Sequence, residues 1–401
     1  DEVVIQAESG LARLLGIQRA QVNAALLMAS SAEALAQRDG ITPTVRAAAL
    51  TAGAQVLTHN GEHRRALDKY AQASSLLEAE YGAHHIALVE TLDGQGTAFD
   101  AQGDLAQAEA AYRRAIEIRS AWQGARHPAT AYLVTNLAVV LVHRGEYEQA
   151  IEQYESALVI LQSEPTPNHG RLAHTYANLG AASSRLGRLH EAEQQLQTAL
   201  GHFRTELGPI HPSVALAHFN LGVTRQRQGR LLDARQSLQR ADEILEQSEP
   251  TVATVRLQAK ILRHLGVILD TEGDSARART HYQRAVTLLE SKVGARDPAL
   301  ATAINRLGRH LRASDAVQAE QLHRRAMDIY AADGRLATRM ADTLRFLARA
   351  LMAQGQLEPA RYYATRALDL YETVMPAPRA SHVEDAESLL DEVHSRRRTL
   401  K

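Results

Sequence analysis

The amino-acid sequence predicts an all-α solenoid, a fold in which pairs of helices repeat along the chain. The main observation is a frame of Gly, then Ala five residues later, Tyr or Leu four later and Ala three later. The frame begins at Gly61, Gly103, Gly145, Gly187, Gly229 and Gly273, so four intervals are 42 residues and the fifth is 44. A fixed period of this size indicates units that bury their apolar faces only against their neighbours.

The composition agrees with such a fold. Hydrophobic residues make up 45% of the chain but aromatic residues only 4%, which favours a core of Ala and Leu between closely packed helices. A formal charge of −1 gives no overall bias toward nucleic acid or an anionic membrane. The absence of cysteine excludes disulfides, thiolate zinc sites and a cysteine nucleophile. No segment reaches the roughly 18 apolar residues of a membrane span.

Each repeat contains two helical patterns. In the third, apolar residues recur at helical spacing over 131–144, and Gly145 ends the helix because glycine tolerates the left-handed cap conformation. The second helix places Ala150, Tyr154 and Ala157 on one face. The short side chains of Ala138, Ala150 and Ala157 allow helix axes to approach to about 8–10 Å.

A linker motif precedes several of the first helices. It reads Gly-x-x-His-Pro at Gly124–Pro128 and Gly208–Pro212, and has Asp in place of His at Gly294–Pro298. The frame and linker together resemble the tetratricopeptide repeat of the kinesin light chain type, over about residues 45–375. The resemblance implies a right-handed superhelical solenoid of about eight helix-turn-helix repeats with terminal capping helices.

The register of the frame suggests four regions. We expect N-terminal capping helices over 1–44, five regular repeats over 45–248 and less regular repeats six to eight over 249–375. A C-terminal capping helix and basic tail should occupy 376–401. The second boundary, at 248/249, is placed where the interval lengthens to 44 residues, after which two intervals of 41 follow.

The resemblance also places the first helix of each repeat on a concave face. One position on that helix, two residues before the small Gly or Ala, reads Asn136, Asn178, Asn220, His264 and Arg306. In the resembling family such asparagines bind the backbone of an extended peptide, since the amide both donates and accepts hydrogen bonds. The alternative is that these asparagines only bond neighbouring helices as part of the fold.

Arginine is concentrated on the first helices of the last three repeats. Between residues 260 and 350, Lys and Arg outnumber Asp and Glu by about six. The arginines on these helices are Arg263, Arg306, Arg309, Arg312, Arg345 and Arg349. If they face the groove, they favour carboxylates or phosphates through bidentate contacts. The alternative is a solvated face that pairs with nearby acids.

These features predict a non-enzymatic scaffold that binds a peptide or partner protein in its concave groove, in bacterial signalling or regulation. The predicted peptide-binding residues are Asn136, Asn178, Asn220, His264, Arg263, Arg306, Arg309 and Arg345. The ligand is expected to be acidic, with no nucleic acid, no direct membrane contact, no metal and no cofactor. The sequence contains no phosphate loop, nucleophile elbow or catalytic triad.

The alternative function is an extracytoplasmic sensor domain of a membrane-anchored bacterial Ser/Thr kinase. Similar long arrays follow kinase domains in bacteria with GC-rich genomes, and nearly all basic residues here are arginine. The chain begins at Asp1 without a Met or a targeting pattern, so we expect it to be a piece of a longer protein. Both a cytoplasmic and a periplasmic location stay open.

Overall fold

The structure, a computed structural model, describes residues 1–17, 21–331, 336–374 and 381–399, and these form nineteen helices and no strand. The chain divides into two compact units, unit 1 (Asp1–Leu207) and unit 2 (Gly208–Lys401). Within each unit, helices pack chiefly against the helices that precede and follow them in sequence. This is the one-dimensional packing expected of a repeat protein.

Unit 1 contains ten helices in its described residues. They are α1 (Glu2–Ile17), α2 (Val22–Ala36), α3 (Pro43–His59), α4 (His63–Tyr81), α5 (Leu88–Gln102), α6 (Leu105–Gln123), α7 (Pro128–Arg144), α8 (Tyr147–Gln162), α9 (His169–Leu186) and α10 (Leu189–Leu207).

Unit 2 contains nine helices in its described residues. They are α11 (Pro212–Arg227), α12 (Leu231–Glu246), α13 (Val252–Thr271), α14 (Ser275–Lys292), α15 (Pro298–Leu311), α16 (Ala316–Ala331), α17 (Ala337–Ala353), α18 (Leu357–Val374) and α19 (Ser381–Thr399).

Eight helix pairs, from α3/α4 to α17/α18, confirm the prediction of about eight helix-turn-helix repeats. The turns of the first six pairs contain the frame glycines, and Gly355 lies in the turn of the eighth pair. Gly145, for example, has φ 83°, a conformation that other residues adopt only with strain. The linker prolines Pro128, Pro212 and Pro298 occupy the first position of α7, α11 and α15, where a missing N–H costs nothing. Before Pro128, the His127 ring accepts a hydrogen bond from the Ala129 amide at 3.2 Å.

The frame has a packing reason. Where the small residue of the first helix is glycine, it faces a large side chain of the second helix so closely that a methyl group has no space. A Cβ added to Gly96 would lie 2.7 Å from the ring of Tyr112. In the seventh repeat the same contact joins Gly308 to His323, again at 2.7 Å. His323 therefore occupies a core position that holds Tyr or Leu in the first six repeats.

Helices also flank the repeats. The pair α1/α2 precedes the first repeat and α19 packs against α18. The expected boundary at 375/376 lies outside the described residues, and the expected change of character at 249 stays a prediction. In the described ranges, none of the helices combines the length and apolarity needed to cross a membrane.

Candidate functional site

The first helices of the last three repeats, α13, α15 and α17, form one continuous surface in unit 2. Each contacts the next, and together they line two depressions of about 520 and 340 Å³. The depressions adjoin because both are lined by Arg306, Arg309 and Phe346. We call this region the arginine pocket. Its arginines are Arg263, Arg306, Arg309, Arg312, Arg339, Arg345 and Arg349.

Three aspartates also line the arginine pocket, and all three are engaged by protein groups. Asp270 accepts a hydrogen bond from the Tyr282 hydroxyl at 2.8 Å and pairs with the His310 ring at 2.9 Å. Asp342 accepts a hydrogen bond from the Tyr371 hydroxyl at 2.6 Å. The carboxylates in the pocket walls therefore already have side-chain partners within the protein.

Arg345 forms ion pairs with two of these three aspartates. Its guanidinium donates to Asp342 at 3.1 Å and forms a second ion pair with Asp385 of α19. The residue is 7% exposed. Of the arginines predicted to bind a peptide, Arg345 is thus the one that carboxylates neutralise within the described residues.

Two of the other arginines lie over aromatic rings. The Arg309 guanidinium carbon is 4.8 Å from the centre of the Phe346 ring, and that of Arg306 is 5.9 Å from the Tyr282 ring. Burial lowers the pKa of Arg309, and so does the positive charge of Arg306, Arg345 and Arg312. Mutual repulsion of this kind shows that positive charge is in local excess.

Arg263 and His264 lie side by side on α13. The His264 ring donates from Nδ1 to the Gln226 side-chain oxygen at 2.8 Å and accepts from the Arg263 guanidinium at 3.2 Å. Burial, with the charges of Arg263 and Arg306, lowers the pKa of His264 to about 3. His264 is therefore neutral at physiological pH and adds no charge to the pocket.

His323 lies in the wall of the larger depression and is fully buried. Asn305 donates its amide to Thr343 at 2.7 Å, so its oxygen accepts from Nδ1 of His323 at 2.8 Å. That arrangement leaves Nε2 unprotonated, and this buried atom has no hydrogen-bond partner within the described structure. Burial lowers the pKa of His323 to about 3, and Arg309 and Arg312 act in the same direction.

The predicted asparagines differ in their surroundings. Asn136 on α7 donates to a carboxylate oxygen of Asp93 on α5 at 3.1 Å, so its amide links neighbouring repeats of unit 1. Asn178 lies on α9 of unit 1 and Asn220 on α11 of unit 2, both partly exposed. No side-chain hydrogen bond to either amide occurs among the described residues. Burial raises the pKa of Asp93 to about 6.

His323 and Arg339 line the pocket but were not predicted as site residues, although the sequence contains a signal for His323. His323 stands at the Tyr or Leu position of the frame, where a polar residue is unexpected in a core. Arg339 lies near the start of α17, a helix on which only Arg345 and Arg349 were singled out. No periodic signal in the sequence marks Arg339.

Comparison with known families identifies the repeat. A model described as Tetratricopeptide repeat matches residues 45–121, 127–205, 178–247 and 257–332, and a second model of the same description matches 340–378. The chain belongs to the tetratricopeptide repeat family. The predicted resemblance is thereby confirmed, and the matched families are all repeats and indicate no catalytic activity.

Solved structures share the fold of this tetratricopeptide repeat protein at low identity. The apo form of RapI is 14% identical, with 92% of this chain and 98% of that chain covered and a TM-score of 0.63. The apo quorum sensor NprR from B. thuringiensis is 12% identical, with 86% and 97% covered and a TM-score of 0.54.

A third similar structure is a signal transduction ATPase with a tetratricopeptide repeat sensor from Pyrococcus horikoshii. It is 14% identical, with 82% of this chain and 50% of that chain covered and a TM-score of 0.55. At such identities these likenesses concern the fold alone. No curated protein matches the sequence.

Proposed function

We propose that this tetratricopeptide repeat protein is a non-enzymatic interaction module whose arginine pocket binds an acidic segment of a partner protein. The observation that carries the proposal is the imbalance of charge in the pocket. Seven arginines line it, against three aspartates that other side chains already engage. Guanidinium groups favour carboxylate ligands because their planar donors form paired hydrogen bonds.

Two similar structures make peptide or signal binding a reasonable use of the fold. One is described as a Rap protein in complex with Competence and Sporulation Factor, and NprR is described as a quorum sensor. A role in bacterial signalling for this chain is proposed on that analogy of fold and on the charge of the pocket.

The test measures binding of a labelled peptide rich in Glu and Asp, with a peptide carrying Gln and Asn at the same positions as the neutral probe. The pocket variant is Arg306→Gln with Arg309→Gln. The control variant is Arg240→Gln with Arg277→Gln, which removes equal charge from exposed arginines on α12 and α14. Circular dichroism checks that both variants keep the helical content of the parent chain.

We expect the acidic peptide to bind and the neutral peptide to bind far more weakly. The pocket variant should lose at least about tenfold in affinity, since each charge-assisted hydrogen bond contributes about 1.5–3 kcal/mol. The control variant should stay within about twofold because Arg240 and Arg277 lie outside the pocket and each is already paired with a nearby acidic side chain. An equal loss in both variants would show a nonspecific effect of net charge and refute the assignment of the pocket.

Asn178 and Asn220 are proposed to hold peptide backbone at their own positions. Each amide is partly exposed and retains both donor and acceptor capacity. Asn178→Ala and Asn220→Ala should lower the affinity for the acidic and the neutral peptide by the same factor, because a contact with peptide backbone does not depend on the side chains. Unchanged affinity in a folded variant would remove that asparagine from the binding surface.

A further inference from the structure

The arginine pocket contains more positive charge than one carboxylate can neutralise. Among the described residues, six of its seven arginines form no ion pair with a carboxylate, and only Arg345 is paired. Arg263 and Arg306 are also partly buried, which removes part of their hydration. Charges that have lost water and lack a counter-ion gain most from a ligand of high charge density.

The guanidinium groups are oriented by aromatic contacts. The Phe346 ring contacts two of them, with the guanidinium carbons of Arg309 and Arg345 at 4.8 and 5.3 Å from its centre. Arg306 lies over the Tyr282 ring, whose hydroxyl is fixed on Asp270. An arginine held by a ring loses less conformational entropy when it binds, and its forked donors keep a defined direction.

The chemistry of the ligand follows from the number and shape of these donors. A carboxylate carries one charge and two acceptor oxygens. A phosphomonoester carries about −1.5 to −2 at neutral pH and three acceptor oxygens, so several guanidiniums can bind it at once. The rings of His264 and His323 are neutral at physiological pH, because the pKa of each is lowered to about 3. The positive charge that attracts the anion therefore comes from arginines and not from these histidines.

We propose that the arginine pocket recognises a phosphorylated side chain within the acidic segment of the partner. This proposal rests on the proposed function and specifies its ligand. The phosphate occupies one of the two adjoining depressions, and an acidic side chain next to it in the same segment occupies the other. Since Arg306 and Arg309 belong to both depressions, they contact both groups.

A ligand carried on a peptide suits the pocket better than free phosphate. Arg309 and Arg312 are solvent-exposed at their positions, so the site is accessible to a chain that passes over it. Free phosphate can fill only one of the two depressions. A peptide can fill both depressions, because an acidic side chain next to the phosphorylated residue reaches the second one.

The experiment uses three synthetic peptides of one acidic sequence, with phosphoserine, Glu or Ser at the central position, and inorganic phosphate as a separate probe. Binding to the full chain is measured by titration calorimetry. The phosphoserine peptide should bind at least about tenfold more tightly than the Glu peptide, and the Ser peptide most weakly. Inorganic phosphate should bind weakly and compete with the phosphoserine peptide.

Two variants separate the shape of the donor from its charge. Arg309→Lys keeps the positive charge but removes the planar fork, so it should weaken binding of the phosphoserine peptide more than binding of the Glu peptide and thereby reduce the preference for phosphoserine. Arg277→Lys on α14 is the matched control and should change neither. Retention of the full preference by Arg309→Lys would overturn the role assigned to this arginine.

The outcomes distinguish this inference from the function on which it rests. If the Glu and phosphoserine peptides bind equally well through Arg309, phosphate recognition is refuted and acidic-segment binding stands. If neither binds, both proposals fail. If inorganic phosphate binds as tightly as the phosphoserine peptide, the pocket is a site for a free anion and the peptide-borne ligand is refuted.

Discussion

Asp93 offers a quantitative test of how burial acts on charge in unit 1. Its carboxylate lies on α5 in a small depression, with the Asn136 amide as donor at 3.1 Å. Burial is the main cause that raises its pKa from 3.8 to about 6. Replacing Asp93 by Asn retains an oxygen that accepts from Asn136 but removes the charge.

The expected gain in stability follows from the shift in pKa. A shift of about two units at about 1.4 kcal/mol per unit means that the charged form costs the folded state about 3 kcal/mol. Asp93→Asn should therefore raise the free energy of unfolding by about 1–3 kcal/mol near pH 7.5, the lower value allowing for an amide that is itself partly buried.

The sign of the pH dependence is fixed by linkage. Between about pH 4 and pH 6 the unfolded chain has released this proton while the folded chain still holds it, so the contribution of Asp93 to stability falls as the pH rises. Below about pH 4 the residue is protonated in both states and the variant should match the parent. The difference should grow through this window and level off above about pH 6.5.

Urea unfolding at several pH values measures this difference. Trp122, the single tryptophan, lies on α6 and reports the repeat that contains α5. Asp100→Asn is the matched control on the same helix. Because Asp100 pairs with His143 at 2.7 Å, its loss should not stabilise the protein. A gain for Asp93→Asn that is equal at about pH 4 and pH 7.5 would refute the reasoning, as would a net loss at about pH 7.5.

Three further predictions concern packing, protonation and helix capping. Gly308→Ala should destabilise the protein by about 1–3 kcal/mol because the new methyl group overlaps the His323 ring, whereas Gly201→Ala, with nothing within 4 Å, should be neutral or stabilising in urea unfolding. The rings of His264 and His323 should stay neutral down to about pH 4 in nitrogen-15 NMR titrations, since burial lowers the pKa of each. Thr251→Ala should cost about 1 kcal/mol because it removes the capping box at the start of α13.

Each of these predictions has a result that contradicts it. A neutral Gly308→Ala would mean that the contact with His323 relaxes freely. Protonation of either histidine above about pH 5 would show that its ring is hydrated or has gained an acidic partner. A Thr251→Ala variant as stable as the parent would mean that another group satisfies the helix terminus.

The fold could be predicted because its signals are local. The frame residues of one repeat lie close together in sequence. In the second repeat, for example, the small residue is Gly96, the turn glycine is Gly103 and the large residue is Tyr112. Contacts such as Gly96 with Tyr112 therefore repeat at the same offset and leave a periodic record in the sequence.

The site could be predicted only in part. Arg306 and Arg309 were predicted because arginine is concentrated on the first helices of the last three repeats. The pairing of Arg345 with Asp385 joins residues 40 positions apart, and no local pattern encodes it. The asparagine positions were equivalent in the frame, yet only Asn136 meets a carboxylate on the preceding repeat. The longer parent protein, its compartment and the sensor alternative stay predictions, to be tested by reading the coding sequence upstream of Asp1.

The construction of the arginine pocket limits how this array can change in length. In a run of equivalent repeats, one helix pair can be duplicated or lost and the remaining pairs still pack through the same kind of interface. The pocket draws its walls from α13, α15 and α17, so it exists only while three successive repeats remain together in order. A shift of a single repeat within residues 252–353 would separate Arg309 and Arg345, which now contact the same ring.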